Sequence, residues 1–454
     1  MAVQLKENKM GTVKIPKLLF SISVPIIISM LVQALYNIVD SIFVARYDPN
    51  AGTGALGLAF PIQMLLIAVA TGFGVGMNAL LSRALGQQKK DRADLIAGQG
   101  FFLTACAYVT FLIFGLFLAK PFVDLQDVTG LLREYSIDYI SIVTVFSLGL
   151  FIQITSERML QATGKSVLSM ITQLSGAITN IILDPILIFG YLGAPELGIK
   201  GAAIATVIGQ GVSALMGIIL NITINKEITL KIKNFLPKLR LLGEMLAISI
   251  PSVLMQAIGS VMTFSMNSIL LKFSDAALNV FTVYFKLQSF IFMPVFGLNN
   301  GMIPIIAYNY GAQKKERIYK TMRLSALCAI AYMALGLAAF QIIPGTLLDF
   351  FNASDEMLKI GKTALRIISI SFVMAGFSIV SISTCQALGK SIYSLIVSVI
   401  RQLVVLIPAA YLLALTDKVN LVWWAFPIAE LIGCTCCVIF VKSVLKKTVS
   451  HMNT

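Results

Sequence analysis

Among the charged residues inside stretches apolar enough to be membrane helices, six stand out: Asp40, Glu157 and Asp184 in the first half of the chain, and Lys286, Arg401 and Glu430 in the second. A charge in such a place costs about 2.5–3.5 kcal/mol on insertion scales, so each needs a partner or a function. Asp40 follows Tyr36 by four residues and Asn37 by three, and Asp184 follows Asn180 by four, spacings that put each set on one face of a helix. Pro185 stands directly after Asp184, and a proline inside a helix frees a backbone carbonyl. A carboxylate, an amide oxygen and loosened carbonyls are suitable ligands for Na⁺ or a shared proton. Taking a carboxylic acid out of water favours its neutral form, so acids in these stretches are suited to following a proton gradient. The one histidine, His451, is in the C-terminal tail, which leaves proton steps within the membrane to the carboxylates or Lys286.

The remaining charges admit two readings each. Glu157 is adjacent to Arg158, as a local ion pair at the membrane interface or as a further ligand. Lys286 pairs most economically with Glu430, as a structural C-terminal ion pair or as a group acting in coupling or substrate release, and Arg401 has a similar stabilising part.

The elements that must position these residues are membrane helices. The chain is 57% hydrophobic and only 12% charged, beyond the range of ordinary soluble domains. Twelve apolar runs, each long enough to cross roughly 30 Å of hydrocarbon, are expected. Their limits are 18–47, 54–83, 94–119, 134–160, 166–191 and 200–223, then 243–272, 278–310, 321–345, 360–387, 391–415 and 421–442. The formal charge of +14 invites a nucleic-acid reading, but Lys and Arg concentrate in alternate loops, the positive-inside pattern of a multi-pass protein with both termini cytoplasmic. No nucleic-acid partner is needed. Lys6, Lys9, Lys14 and Lys17 precede a first run too long for a signal-peptide core, so it reads as a retained helix. All six cysteines fall within these runs, and Cys434, Cys436 and Cys437 read as apolar packing rather than a metal cluster.

The two halves repeat. Gly86-Gln-Gln-Lys-Lys-Asp-Arg92 returns 225 residues later as Gly311-Ala-Gln-Lys-Lys-Glu-Arg317, and Gln161-Ala-Thr-Gly-Lys-Ser166 returns as Gln386-Ala-Leu-Gly-Lys-Ser391. Ser23-Val-Pro25 corresponds to Ser249-Ile-Pro251, which makes Pro25 and Pro251 equivalent bending points in the first run of each half. Six runs per half is an even number, so the repeat is parallel, a plan in which transporters hold substrate near mid-membrane. The expected domains are an N-terminal lobe (1–224), a basic cytoplasmic linker (225–242) and a C-terminal lobe (243–454). The paired Lys-Lys loops read either as charge that sets topology or as functional loops.

Tyr36-Asn-Ile-Val-Asp-Ser-Ile-Phe-Val44, Asn180-Ile-Ile-Leu-Asp-Pro185 and the paired loops together resemble the multidrug and toxic compound extrusion (MATE) family, nearest its prokaryotic MepA-like and DinF-like branches. The resemblance covers essentially the whole chain. It implies an all-α membrane protein of two six-helix lobes in a V, monomeric in the prokaryotic cell membrane. It also implies export of small, lipophilic and mostly cationic drugs in exchange for H⁺ or Na⁺, without a cofactor. In that family the acid of span 1 and the Asn and Asp of span 5 line a cation site in the N-terminal lobe, and Asp40, Asn180 and Asp184 match them. Tyr36, Asn37, Thr206 of span 6 and Glu157 are further candidates for that site, and any Na⁺ would sit at Asp40, Asn180 and Asp184.

Met64, Met170, Met255, Met262, Met266 and Met293, with Phe60, Phe281, Phe290 and Phe292, suit either a cavity for varied lipophilic cations or simple packing. A flippase for lipid-linked precursors shares the superfamily architecture and is the alternative. An integral-membrane enzyme is disfavoured: there is no His-Glu-x-x-His and no convincing nucleophile arrangement.

Overall fold

The computed structural model describes residues 8–351 and 353–452; Lys6 lies outside them. Among the described residues ten helices are singly long and apolar enough to cross a membrane, and two bent pairs complete twelve spans. Helices are the required solution, because a backbone in hydrocarbon has no water to bond and must satisfy itself. Spans 1 to 3 are Ile15–Tyr47, Ala51–Gly86 and Lys90–Asp124, and spans 5 and 6 are Ser166–Phe189 and Ile199–Thr223. Span 4 is the pair Gly130–Val145 and Leu148–Ala162, bent by 46°. Spans 7 to 9 are Leu239–Leu270, Asp275–Gly311 and Lys315–Ile342. Span 10 is the pair Asp355–Ser369 and Phe372–Ala387, bent by 47°, and spans 11 and 12 are Ser391–Ala414 and Val419–Thr448. The bends fall at equivalent places in the two halves, so the repeat extends from loop sequences to helix shape.

Loop geometry repeats as well. Gly164 and Gly389, 225 residues apart in the Gln-Ala-x-Gly-Lys-Ser loops, have φ of 77° and 76°, the left-handed region that a Cβ disfavours. Gln88 and Gln313, in the two Lys-Lys loops, share φ of 59° and 58°.

By packing, the chain forms two compact units. One contains Asn8 and Ile28–Val253; the other contains Lys9–Ile27 and Leu254–Thr454. Chain membership therefore changes inside spans 1 and 7, two residues beyond Pro25 and Pro251. The linker 225–242 belongs wholly to the first unit, where it is bonded rather than loose. Asp94 Oδ1 accepts from the Thr229 amide at 2.7 Å, and Gln99 Nε2 donates to the carbonyls of Asn234 and Leu236 at 2.8 and 2.7 Å.

The segment around each proline is seated on a pair of glycines four residues apart, the spacing that lets membrane helices approach closely. In the first unit a Cβ on Gly76 would come 2.2 Å from Ser249 Oγ, and one on Gly72 would come 2.3 Å from Val253. In the second unit Gly301 meets Ser23 Oγ at 2.3 Å and Gly297 meets Ile27 at 2.5 Å by the same measure. These are repeat-equivalent contacts.

The loops of the second half take up the start of span 1. Lys314 Nζ donates to Gly11 O at 2.9 Å, Arg317 Nη2 donates to Met10 O and Val13 O at 2.8 Å each, and Asn309 Nδ2 donates to Met10 O at 3.0 Å. In the first unit Arg92 pairs with Glu244 at 2.7 Å near the start of span 7. The conserved spacing of these loops between halves thus carries side chains that hold carbonyls and an acid, in addition to any topogenic charge.

Replacing Gly76 or Gly301 by leucine is expected to destabilise the protein by about 1–3 kcal/mol through overpacking. A thermal-unfolding series in detergent checks this, with Gly57→Ala as the silent control because nothing lies within 4 Å of a Cβ there.

Candidate functional site

Span 5 supplies the buried stripe of the first unit. Thr172, Gln173, Gly176, Ala177, Asn180 and Asp184 recur at helical spacing and are all buried. Span 6 comes close because both helices lack side chains where they cross. A Cβ on Gly176 would meet Gly209 O at 2.6 Å, and one on Gly209 would meet Gly176 O at 2.8 Å. That approach places Thr206, Gln210 and Ser213 opposite Asn180 and Gln173, and Ser213 Oγ donates to Thr172 O at 2.9 Å. The helices leave between them a small, partly open recess, to which Tyr36 of span 1 and Gln153 of span 4 also contribute.

Asp184 is fully buried and Asn180 is 2% exposed. Asn180 Nδ2 donates to Asp184 Oδ1 at 3.2 Å. This leaves Asn180 Oδ1 and Asp184 Oδ2 buried with no hydrogen-bond partner, and Asp40 Oδ1 is in the same condition. Three acceptor oxygens without donors, two of them from carboxylates, make a place for a proton or a small cation.

Of the seven candidates for this site, Asp40, Asn180 and Asp184 supply the unpartnered oxygens, and Tyr36, Asn180 and Thr206 line the cavity. Asn37 is exposed and is not among the cavity residues. Tyr36 and Asn37 lie about 100° apart on the helix, on either side of Asp40, so a cavity on one side of that residue takes only one of them. Glu157 is reached through Gln153, whose Nε2 donates to Glu157 Oε1 at 3.0 Å and to Gln173 Oε1 at 2.9 Å. Arg158, for its part, donates to Gln161 Oε1 at 3.1 Å.

A search for charges passes over the residues that make most of the wall. Gln153, Gln173 and Gln210 are neutral, but an amide inside an apolar span is itself a costly group, and that was the available signal. Tyr139 was missed for the same reason; it is 1% exposed and its hydroxyl accepts from Gln63 Nε2 at 3.0 Å. The methionines and phenylalanines singled out for a lipophilic cavity do not line this one. Met266 and Phe281 are buried in the packing of the second unit, where Phe281 stacks against Tyr284 and Trp423.

In the second unit the expected pairing of Lys286 with Glu430 is replaced by another. Arg401 Nη1 donates to Glu430 Oε2 at 3.0 Å, both being largely buried, while Lys286 is exposed and reaches over the Phe351 ring at 5.8 Å. The reason is reach: Lys286 has a flexible stem that carries its ammonium out to an aromatic face, whereas Arg401 sits in a π-helical stretch, Ile400–Leu406, packed directly on span 12.

A family model described as MatE matches the chain twice, over residues 25–186 and 251–412. The multidrug export protein MepA of Staphylococcus haemolyticus is 27% identical over 421 residues, covering 91% of this chain and 90% of that protein. Two solved structures share the fold. One is an outward-facing multidrug resistance MATE family transporter of the MOP superfamily, with TM-score 0.90 and 24% identity over 98% of this chain and all of that one. The other is a MOP superfamily transporter from Pyrococcus furiosus reported to have a binding pocket of reverse polarity, with TM-score 0.91 and 23% identity over 98% and 99% of the two chains.

Removing one member of the Arg401–Glu430 pair strands a charge in the membrane interior, at a cost of about 3–5 kcal/mol. Arg401→Met is therefore expected to lower the melting temperature more than the double variant Arg401→Met with Glu430→Leu, as measured on purified protein.

Proposed function

The chain belongs to the MatE family, the multidrug and toxic compound extrusion transporters, and on that premise we propose that it is a secondary active exporter of lipophilic, mostly cationic compounds driven by antiport of H⁺ or Na⁺. The observation that carries this reading is the set of unpartnered oxygens on Asp40, Asn180 and Asp184 beside a polar cavity inside one unit. A carboxylate oxygen in low dielectric without a donor is costly, and a proton or Na⁺ supplies the missing partner. Thr206 and Tyr36 line the same cavity and complete its polar wall.

The cycle that follows is one of competing charge. Drug occupies the first unit while its carboxylates are charged; an ion entering from outside neutralises Asp40 or Asp184 and favours release. Spans 1 and 7 are the members that bend, since each passes from one compact unit to the other just after its proline, Pro25 or Pro251. No cofactor enters the cycle, and the coupling ion is bound and released unchanged.

Replacing Asp40 by Asn removes the charge with little change of shape. Efflux by Asp40→Asn in proteoliposomes, under separately imposed pH and sodium gradients, is expected to fall at least tenfold below wild type under whichever gradient drives the wild type. Undiminished transport would remove Asp40 from the coupling site.

A further inference from the structure

We propose that Glu157, held by Gln153 and Gln173, is the counter-charge for the cationic nitrogen of the substrate, separate from the Asp40–Asp184 pair that takes the coupling ion. This rests on the exporter reading above.

Gln153 commits both of its amide hydrogens. An amide nitrogen has two, and here one goes to Glu157 Oε1 and the other to Gln173 Oε1. Gln153 lines the cavity, so the atom it retains for a guest is its carbonyl oxygen. Asn180 repeats the pattern at the other carboxylate: its nitrogen is committed to Asp184 Oδ1 and its oxygen is left without a donor. Each of these two amides gives a donor to an acid, so its oxygen is the atom left to favour a positive guest, while Gln173, whose oxygen is taken by Gln153, keeps a donor.

The two acidic regions are at different depths. Gln173 precedes Asn180 by seven residues on span 5, about two turns or 10 Å, and Asp184 lies another turn beyond. Glu157 is one turn past Gln153 on span 4, toward the loop that joins spans 4 and 5 and so away from Asp184. The recess has room for little more than a water-sized group, so at most the ammonium end of a substrate enters it and the apolar remainder stays outside.

Arg158 is close enough to Glu157 for their opposite charges to attract, but its side chain leaves the helix in another direction. Adjacent helical residues do not face each other. The Arg158 stem lies against span 2, where a Cβ on Gly74 would come 2.7 Å from its Cγ, and its guanidinium donates to Gln161.

Ethidium, a planar lipophilic cation, is the probe, and its binding to purified protein in detergent is read by fluorescence anisotropy. Glu157→Gln is expected to raise the Kd tenfold or more, and Glu157→Asp to remain within threefold of wild type. Gln153→Leu, which removes both the inward oxygen and the bond that orients Glu157, moves the Kd in the same direction as Glu157→Gln and serves if that variant does not fold. Ethidium bound by wild type no more tightly than by Glu157→Gln, or by Gln153→Leu in its place, overturns the assignment. So does a Glu157→Gln protein with wild-type Kd that has lost gradient-driven efflux, since that places Glu157 in ion coupling. Efflux by Asp40→Asn, measured in parallel, separates the two readings: full activity there removes the coupling site and leaves the Glu157 result standing.

Discussion

An acid in a membrane interior must find donors, and the first unit is built around acids that have found too few. Asp184 is fully buried, has one oxygen bonded to Asn180 and has the other bonded to nothing. The contrast with the second unit is direct. There the buried acid, Glu430, also has one oxygen without a donor, but its other oxygen meets an arginine at 3.0 Å, which offsets its charge within the protein. The same physical cost is thus met internally in one half and left for an ion from outside in the other. A duplicated scaffold carries a site that is not duplicated.

Placing these oxygens depends on backbone approach. Spans 5 and 6 reach one another at Gly176 and Gly209, and without that contact Thr206, Gln210 and Ser213 would not oppose Asn180 and Gln173. The same device holds the arms of spans 1 and 7, which rest on Gly297 with Gly301 and on Gly72 with Gly76. Close glycine packing gains dispersion where lipid offers no hydrophobic drive for helices to associate. It also makes the arms that carry Pro25 and Pro251 fixed parts of their units as far as Ile27 and Val253, where each chain passes to the other unit.

Apolar run length was enough to place the spans, because crossing hydrocarbon sets a minimum length and admits few charges. The repeat was legible as residues at a constant offset. The i,i+4 spacing of Asn180 with Asp184 was legible too, since a single helix fixes that geometry by itself. Two other assignments failed for want of a third dimension. Nothing along the chain distinguishes Arg401 from Lys286 as the partner of Glu430, because that choice is a distance between helices. Nor does it tell which side of span 1 meets a cavity, and so Asn37 stood beside Tyr36 until the packing divided them.

What the sequence determined by itself was therefore everything governed by one helix at a time: the spans, the repeat, the acids and their neighbours one turn away. Only the tertiary structure decided what depends on two helices meeting. It tied the linker to Asp94 and Gln99, joined Arg401 to Glu430, and turned Gln153 between Glu157 and Gln173. The physical reason is that helical spacing is local and fixed by the backbone, whereas an amide or a charge acquires its role from whichever group close packing brings within about 3 Å.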